Sequence, residues 1–255
     1  MLMVARALFV LLPLVVAGCG SVGSYSPEER AAFAGSVQPF SSVQPGNAVP
    51  PAWKPYILSR LKRTTEYQTV QQDGKTVVRA IADRSASGIS QPLSLNITPT
   101  PYITWSWNVS GILAEANNAL GPDDAPARVI VAFEGDKSKW DFEDRAFADR
   151  IRGWTGHDIP YATLMYIWSN SEPVGSVITN RHTTRIKMIV AESGQQNLRT
   201  WVRERWNLVE DFKRAFGEDP GRVVSVGIMS DTDNTGERVV TYYGDIAFAP
   251  TNTSN

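Results

Sequence analysis

Beyond residue 50 the chain alternates. TTEYQTVQQ, TVVRAIA and RVVTYYGDIAFA are strand-like runs carrying β-branched and aromatic residues, and in PYITWSWNVS apolar residues recur at every second position. That is the period of a strand with one buried face. APARVIVAFEG is apolar almost without interruption, as a central strand covered on both sides would be. GISQPLSLNIT, YATLMYIWS, TTRIKMIVAES and RVVSVGIMS complete a set of roughly nine strands separated by turn residues. Asp73-Gly74 predicts a tight hairpin between the first two runs, because both residues tolerate the left-handed backbone that such a turn needs. In the aromatic run, Tyr102, Thr104 and Ser106 fall on one face and Ile103, Trp105 and Trp107 on the other. Trp105 and Trp107 are therefore buried together or exposed together.

Two segments change period. DKSKWDFEDRAFADRIRGW places Trp140, Phe147 and Ile151 at helical spacing. NLRTWVRERWNLVEDFKRAFG carries its apolar residues, from Leu198 through Trp201, Val202 and Leu208 to Phe216, on a three-four repeat, with Gly217 as C-cap. Strands and helices do not alternate regularly, as parallel crossovers would require. The expectation is a mainly β fold, a jelly-roll-like antiparallel β-sandwich with two inserted surface helices. A single domain over residues 51–250 holds it, with a disordered tail at 251–255.

The residues before it read as an address. Arg6 opens a short positive region, Ala7 to Val15 are apolar, and small residues precede Cys19. The apolar run is too short to span a bilayer and suits a signal peptide over residues 1–18. Val16-Ala17-Gly18-Cys19 resembles a bacterial lipobox, which implies that Cys19 is acylated and anchors the chain to a membrane. By the same resemblance Gly20, which is not Asp, points to the periplasmic face of the outer membrane of a Gram-negative host. Residues 19–50 are rich in Ser, Gly and Pro and read as a flexible tether, with one short helix expected behind a Ser26 cap and Glu29. Cys19 is the chain's one cysteine, so the exported part has no thiol for a disulfide or a thiolate. About 200 residues remain to build a core without such a staple, enough to bury roughly 70% of the unfolded surface.

Charge excludes one partner class. There are 25 Lys and Arg against 26 Asp and Glu, interleaved throughout, so no basic patch is available for nucleic acid. The acids themselves cluster at two bends. DTDNTG, from Asp231, begins as an EF-hand loop does, but its twelfth position is Tyr242 where a bidentate Glu is required. Turn chemistry is the first reading of Asp231, Asp233 and Asn234. A structural calcium held by Asp231 and Asp233 is the candidate cofactor if the loop does more. GPDDAPARV places Asp123 and Asp124 just before a strand that carries Arg128. One carboxylate paired with Arg128 would either lock the loop or leave its neighbour facing a ligand. His157 and His182 lie in separate loops without metal-ligand spacing, and no G-x-S-x-G elbow occurs. Eight Trp, eight Tyr and nine Phe supply rings for stacking on sugars, among them Trp105 and Trp107, provided that they are exposed.

TEYQTV, GISQPL, TWSWNV, DDAPARVIVAF, LMYIW, RERWNLVEDFKRAFGEDP and IMSDTDNTGERVVTYYGDIAF occur here in the order in which they run through one bacterial family. The chain resembles that family, domain of unknown function 3047, over about residues 53–249. The resemblance implies an exported, mostly β protein with no assigned reaction. Its motif positions fall here on Trp105, Trp107, Asp123, Asp124, Arg128, Asp231, Asp233 and Asn234, and also on Gly244 and Asp245.

The leading expectation is a lipid-anchored periplasmic protein that binds a carbohydrate or other envelope polymer without catalysis. Its ligand-binding residues would be Asp123, Asp124, Arg128, Asp231, Asp233 and Asn234, with Trp105 and Trp107. A glycan-active enzyme using paired carboxylates, and a structural lipoprotein whose acids merely fix loops, are the alternatives. All three turn on whether the two acidic bends meet.

Overall fold

The computed structural model describes residues 35–46, 49–59, 61–155 and 158–251. The signal segment, Cys19, the Ser26 cap, His157 and the tail from residue 252 lie outside the described residues.

Two sheets face each other, built from thirteen described strands. The seven-stranded sheet runs β1 (Lys54–Ile57), β4 (Ala86–Leu95), β11 (Val223–Asp231), β6 (Arg128–Phe133), β7 (Ala162–Ser169), β9 (Ile186–Ser193) and β8 (Val177–Thr179). The second runs β10 (Val202–Asn207), β5 (Tyr102–Val109), β12 (Arg238–Tyr243), β3 (Lys75–Asp83) and β2 (Glu66–Gln72), with β13 (Ala247–Ala249) beside β5. The described pairings are antiparallel except β7 with β9, which is parallel. The protein is thus mainly β, a jelly-roll-like sandwich. Two α-helices among the described residues, α1 (Phe142–Thr155) and α2 (Leu208–Phe216), are inserted between strands.

The alternation decides which residues make the core. In β5 the odd positions Ile103, Trp105, Trp107 and Val109 are buried and the even ones half-exposed. In β6 every residue is buried, as the unbroken apolar run predicts for a middle strand. Where the sheets meet, Trp105 lies 5.0 Å from Tyr166 and Trp107 lies 5.9 Å from Trp168, ring centre to ring centre. A ring of this kind withdraws roughly 150–250 Å², worth about 4–6 kcal/mol at 25 cal/mol per Å². Asp73 and Gly74 have φ of 48° and 78°, the left-handed pair that a two-residue hairpin demands. Pro92, with no N–H to offer, sits inside β4 where its register with β11 slips between Val223 and Ser225.

Three expectations change. The second helix is shorter than its periodicity suggests. Val202–Asn207 is strand β10, and the helix starts at Leu208 because the Asn207 side chain caps it by accepting the Glu210 N–H at 3.2 Å. Gly217 closes that helix at φ 75° as expected. RVVTYYGDIAFA is two strands rather than one. The break falls at Gly244, where a Cβ would come within 2.2 Å of the Ser106 Oγ, and β13 resumes along the same edge of β5. The short strands β1 and β8 carry too few residues to show a period. No described helix is long and apolar enough to cross a membrane.

Candidate functional site

The two acidic bends meet. Asp231 ends β11 and Arg128 begins β6, neighbouring strands, and the loop holding Asp123 and Asp124 runs into β6 beside them. Arg128 donates from Nε to Asp231 Oδ1 at 2.9 Å and from Nη2 to Oδ2 at 3.0 Å. This two-pronged pair fits the planar guanidinium to the carboxylate. The Ala125 N–H donates to the same Oδ1 at 3.1 Å, and Arg128 Nη2 also donates to the Asp123 carbonyl. Arg128 therefore pairs with Asp231, not with the carboxylates of Asp123 or Asp124.

Asp124 has another task. It is fully buried, and its Oδ2 accepts from the N–H of Asn234 (3.0 Å), the N–H of Thr235 (2.7 Å) and the Thr235 hydroxyl (2.9 Å). Its Oδ1 accepts from the Asn234 amide at 2.7 Å. Asp233 faces Lys62 at 2.6 Å. DTDNTG is thus a turn whose backbone donors are gathered by a carboxylate from a different loop. The whole works as a buckle that fastens the two bends at one end of the sandwich.

Its electrostatics agree. Burial pushes the Asp231 carboxyl up to about 6, and the Arg128 charge and hydrogen bonds pull the other way. Asp231 is accordingly ionised at neutral pH, held so by Arg128. The Arg128 Nη1 faces the Met188 sulfur at 3.4 Å, a soft and weak acceptor.

Asp124, Asp231 and Asp233 each bring an oxygen within 4.8 Å of the others, the spacing a cation would use. The donor set does not fit one. Both Asp231 oxygens are taken by Arg128, Asp124 accepts four donors and Asp233 holds Lys62 through Oδ2, which leaves its buried Oδ1 as the one oxygen of the three acids without a partner among the described residues. An ion would have to displace two cations that already neutralise the acids. Nor do the aromatics expected beside the site take part. Trp105 and Trp107 are 3% and 0% exposed, buried together because both occupy the inner face of β5, so neither ring is available to stack on a ligand.

The outer face of the second sheet offers a surface of which the motifs indicated only Gly244 and Asp245. Where β12 stops and the chain steps aside at Gly244, a groove of about 350 Å³ opens between β3 and β10. Trp201 lies half-exposed on its wall, and its indole Nε1 donates to Asp73 Oδ2 at 2.8 Å, which fixes the ring. Arg203, Lys75 and Gln72 line it beside Asp245, whose Oδ1 accepts the Ser41 N–H at 2.9 Å. Among the described residues neither Arg203 nor Lys75 has a side-chain partner. Two other depressions, about 430 and 310 Å³, are poorer in charge: the first is lined by no charged side chain and the second by Asp158 alone, 3.3 Å from Arg152. Sequence reasoning missed this groove because Trp201 fits the helical repeat, while Asp73 and Asp245 sit more than 170 residues apart.

A second unforeseen feature lies behind the groove. Glu204, on the inner face of β10 opposite Trp105, is 9% exposed. Trp206 Nε1 donates to its Oε2 at 2.8 Å, but its Oε1 has no partner, and neither do the buried indole nitrogens of Trp105 and Trp107. Burial pushes this carboxyl up to about 7; the Trp206 hydrogen bond opposes the shift and the neighbouring Glu192 adds to it. The Trp107 N–H leans toward the acid without closing a hydrogen bond of normal geometry. An inward-pointing acid on an edge strand also discourages pairing with other chains.

Fold and site together define a β-sandwich whose loops are buckled by buried carboxylates and whose outer face carries a polar groove. The chain belongs to the family described as protein of unknown function (DUF3047), whose profile matches residues 51–247. No curated protein matches the sequence. Solved structures of similar course include the Spr0440 glycoside hydrolase domain, Endo-D, from Streptococcus pneumoniae R6, at 10% identity and TM-score 0.32. That match covers 80% of this chain and 22% of the other. The Trichoderma harzianum endoglucanase 3 from family GH12 matches at 7% identity and TM-score 0.36, over 80% of this chain and 100% of that one. The cellulose induced protein Cip1 matches at 11% identity and TM-score 0.30, over 80% and 93%. Likeness at this level says nothing about activity.

Proposed function

We propose that this protein is a lipid-anchored envelope protein, held by Cys19 on the periplasmic face of the outer membrane, that binds a hydroxyl-rich polysaccharide without cleaving it. The groove between β3 and β10 is the binding site, and the acidic buckle is its scaffold. The observation that carries the reading is the fixed indole of Trp201 beside mixed polar groups. A half-exposed ring offers its face to the apolar side of a sugar, while Asp73, Gln72 and Arg203 offer donors and acceptors to hydroxyls. Two cations and two carboxylates in the groove balance each other, which suits a neutral polymer better than a highly charged one.

The test is co-sedimentation of the mature domain with insoluble envelope polysaccharides, beside a glycan array. Trp201→Ala should lose about two- to thirteenfold in retention, the order expected when about 0.5–1.5 kcal/mol of ring stacking disappears. Asp124→Asn, in the buckle, should bind as the wild type does wherever it remains folded. Equal retention of Trp201→Ala and wild type would remove the groove from consideration.

A further inference from the structure

Strand β10 carries groove and acid on opposite faces. Arg203, with Trp201 just before the strand, walls the groove, while Glu204 points between the sheets. Among the described residues the strand is an edge, paired only with β5 along Val202–Asn207 and tied at its head by the Trp201–Asp73 bond. Behind it lie one Glu204 oxygen and two indole N–H groups, all buried and without partners among the described residues. A carboxylate placed there has no cation to meet. Glu192 on β9 is the charged group that acts on it from the opposite sheet, and it repels. Trp105 and Trp107 of β5 bring rings only, and Tyr166 of β7 is bonded to Asp211 of α2, itself paired with Arg214. Arg203 and Arg205 project from the other face, with Arg205 over the Tyr102 ring.

We propose that Glu204 is a proton-held latch on the groove wall. With the proton on, β10 lies against the aromatic core and presents Trp201 and Arg203. With the proton lost, the strand opens so that the carboxylate reaches water, and the groove wall loosens with it. The inference rests on the groove as a binding site only for its consequence. The latch itself is read without any ligand.

The sign follows from linkage. Glu204 releases its proton more readily in the open strand than in the closed one. Opening is therefore favoured as pH rises from the ordinary carboxyl range and levels off above about 7, where closed Glu204 also titrates. Hydrogen exchange of the β10 amides, corrected for intrinsic rates, should show protection falling about tenfold per pH unit between pH 5 and neutrality. Protection in β6 should stay constant. Glu204→Gln should abolish the fall, and Glu192→Gln, which removes the repelling neighbour, should make it smaller. Constant β10 protection in the wild type, an equal fall in β6, or an unchanged fall in Glu204→Gln would each overturn the latch. If Glu204→Gln does not fold, an unchanged fall in Glu192→Gln overturns it instead. None of these outcomes depends on whether a polysaccharide binds.

Discussion

Replacing Arg128 by Met tests the buckle. Arg128 is 4% exposed and Asp231 5%, so the variant leaves a carboxylate buried with only the Ala125 N–H for company. Removing one partner of a buried pair costs about 3–5 kcal/mol, because the stranded charge must be neutralised or hydrated. At about 2–4 °C per kcal/mol for a domain of this size, the melting midpoint should fall by roughly 6–20 °C. The double variant Arg128→Met with Asp231→Leu should recover most of that, since Met165, Met188 and Ile167 already make the surroundings apolar. What it cannot recover is the Ala125 N–H, about 1–3 kcal/mol when left without an acceptor. The loss in the single variant should also shrink toward pH 4, where Asp231 takes up a proton and no longer strands a charge. Urea unfolding at pH 4, 5.5 and 7.5 measures all of this. A single-variant cost below about 1 kcal/mol would place the pair among exposed ion pairs and refute the reasoning.

Three further outcomes follow from the same geometry. Asp124→Ala removes the acceptor of four hydrogen bonds, two from backbone N–H groups, and should cost about 2–4 kcal/mol while increasing proteolysis at residues 233–236. Because the Glu204 carboxyl is raised from 4.5 to about 7, the wild type should lose stability as pH climbs through that interval, up to about 3 kcal/mol, and hold level above it. Glu204→Gln should flatten that slope in calorimetric scans. Adding a chelator should leave the melting midpoint unchanged, and a shift of several degrees would return calcium to Asp231 and Asp233.

How far this was legible from the sequence depends on the length over which each signal acts. The β5 alternation runs over eight residues and the unbroken apolar run of β6 over six, and both appear as read. Asp73-Gly74 is a turn by its own backbone needs. The helix boundary was harder, because Leu198, Trp201 and Val202 extend the three-four spacing of Leu208, Phe212 and Phe216 backward along the chain. Only the pairing of β10 with β5 settles it. The acidic bends were visible as bends, and their meeting was open until strand order placed β11 beside β6. Which acid took Arg128 could not be read, since Asp123 and Asp124 are near in sequence and Asp231 is near in space. The groove and Glu204 left least trace, as both depend on which side of one edge strand faces inward.

The bond between Ser41 and Asp245 gives the domain a heading. It brings the chain onto the rim of the groove. Cys19 lies 22 residues upstream, a span of at most about 75 Å when fully drawn out. If Cys19 carries acyl chains as proposed, a leash of that reach lets the groove sample the space from the lipid headgroups outward. Whatever fills it would be met in the space between the outer membrane and the cell wall.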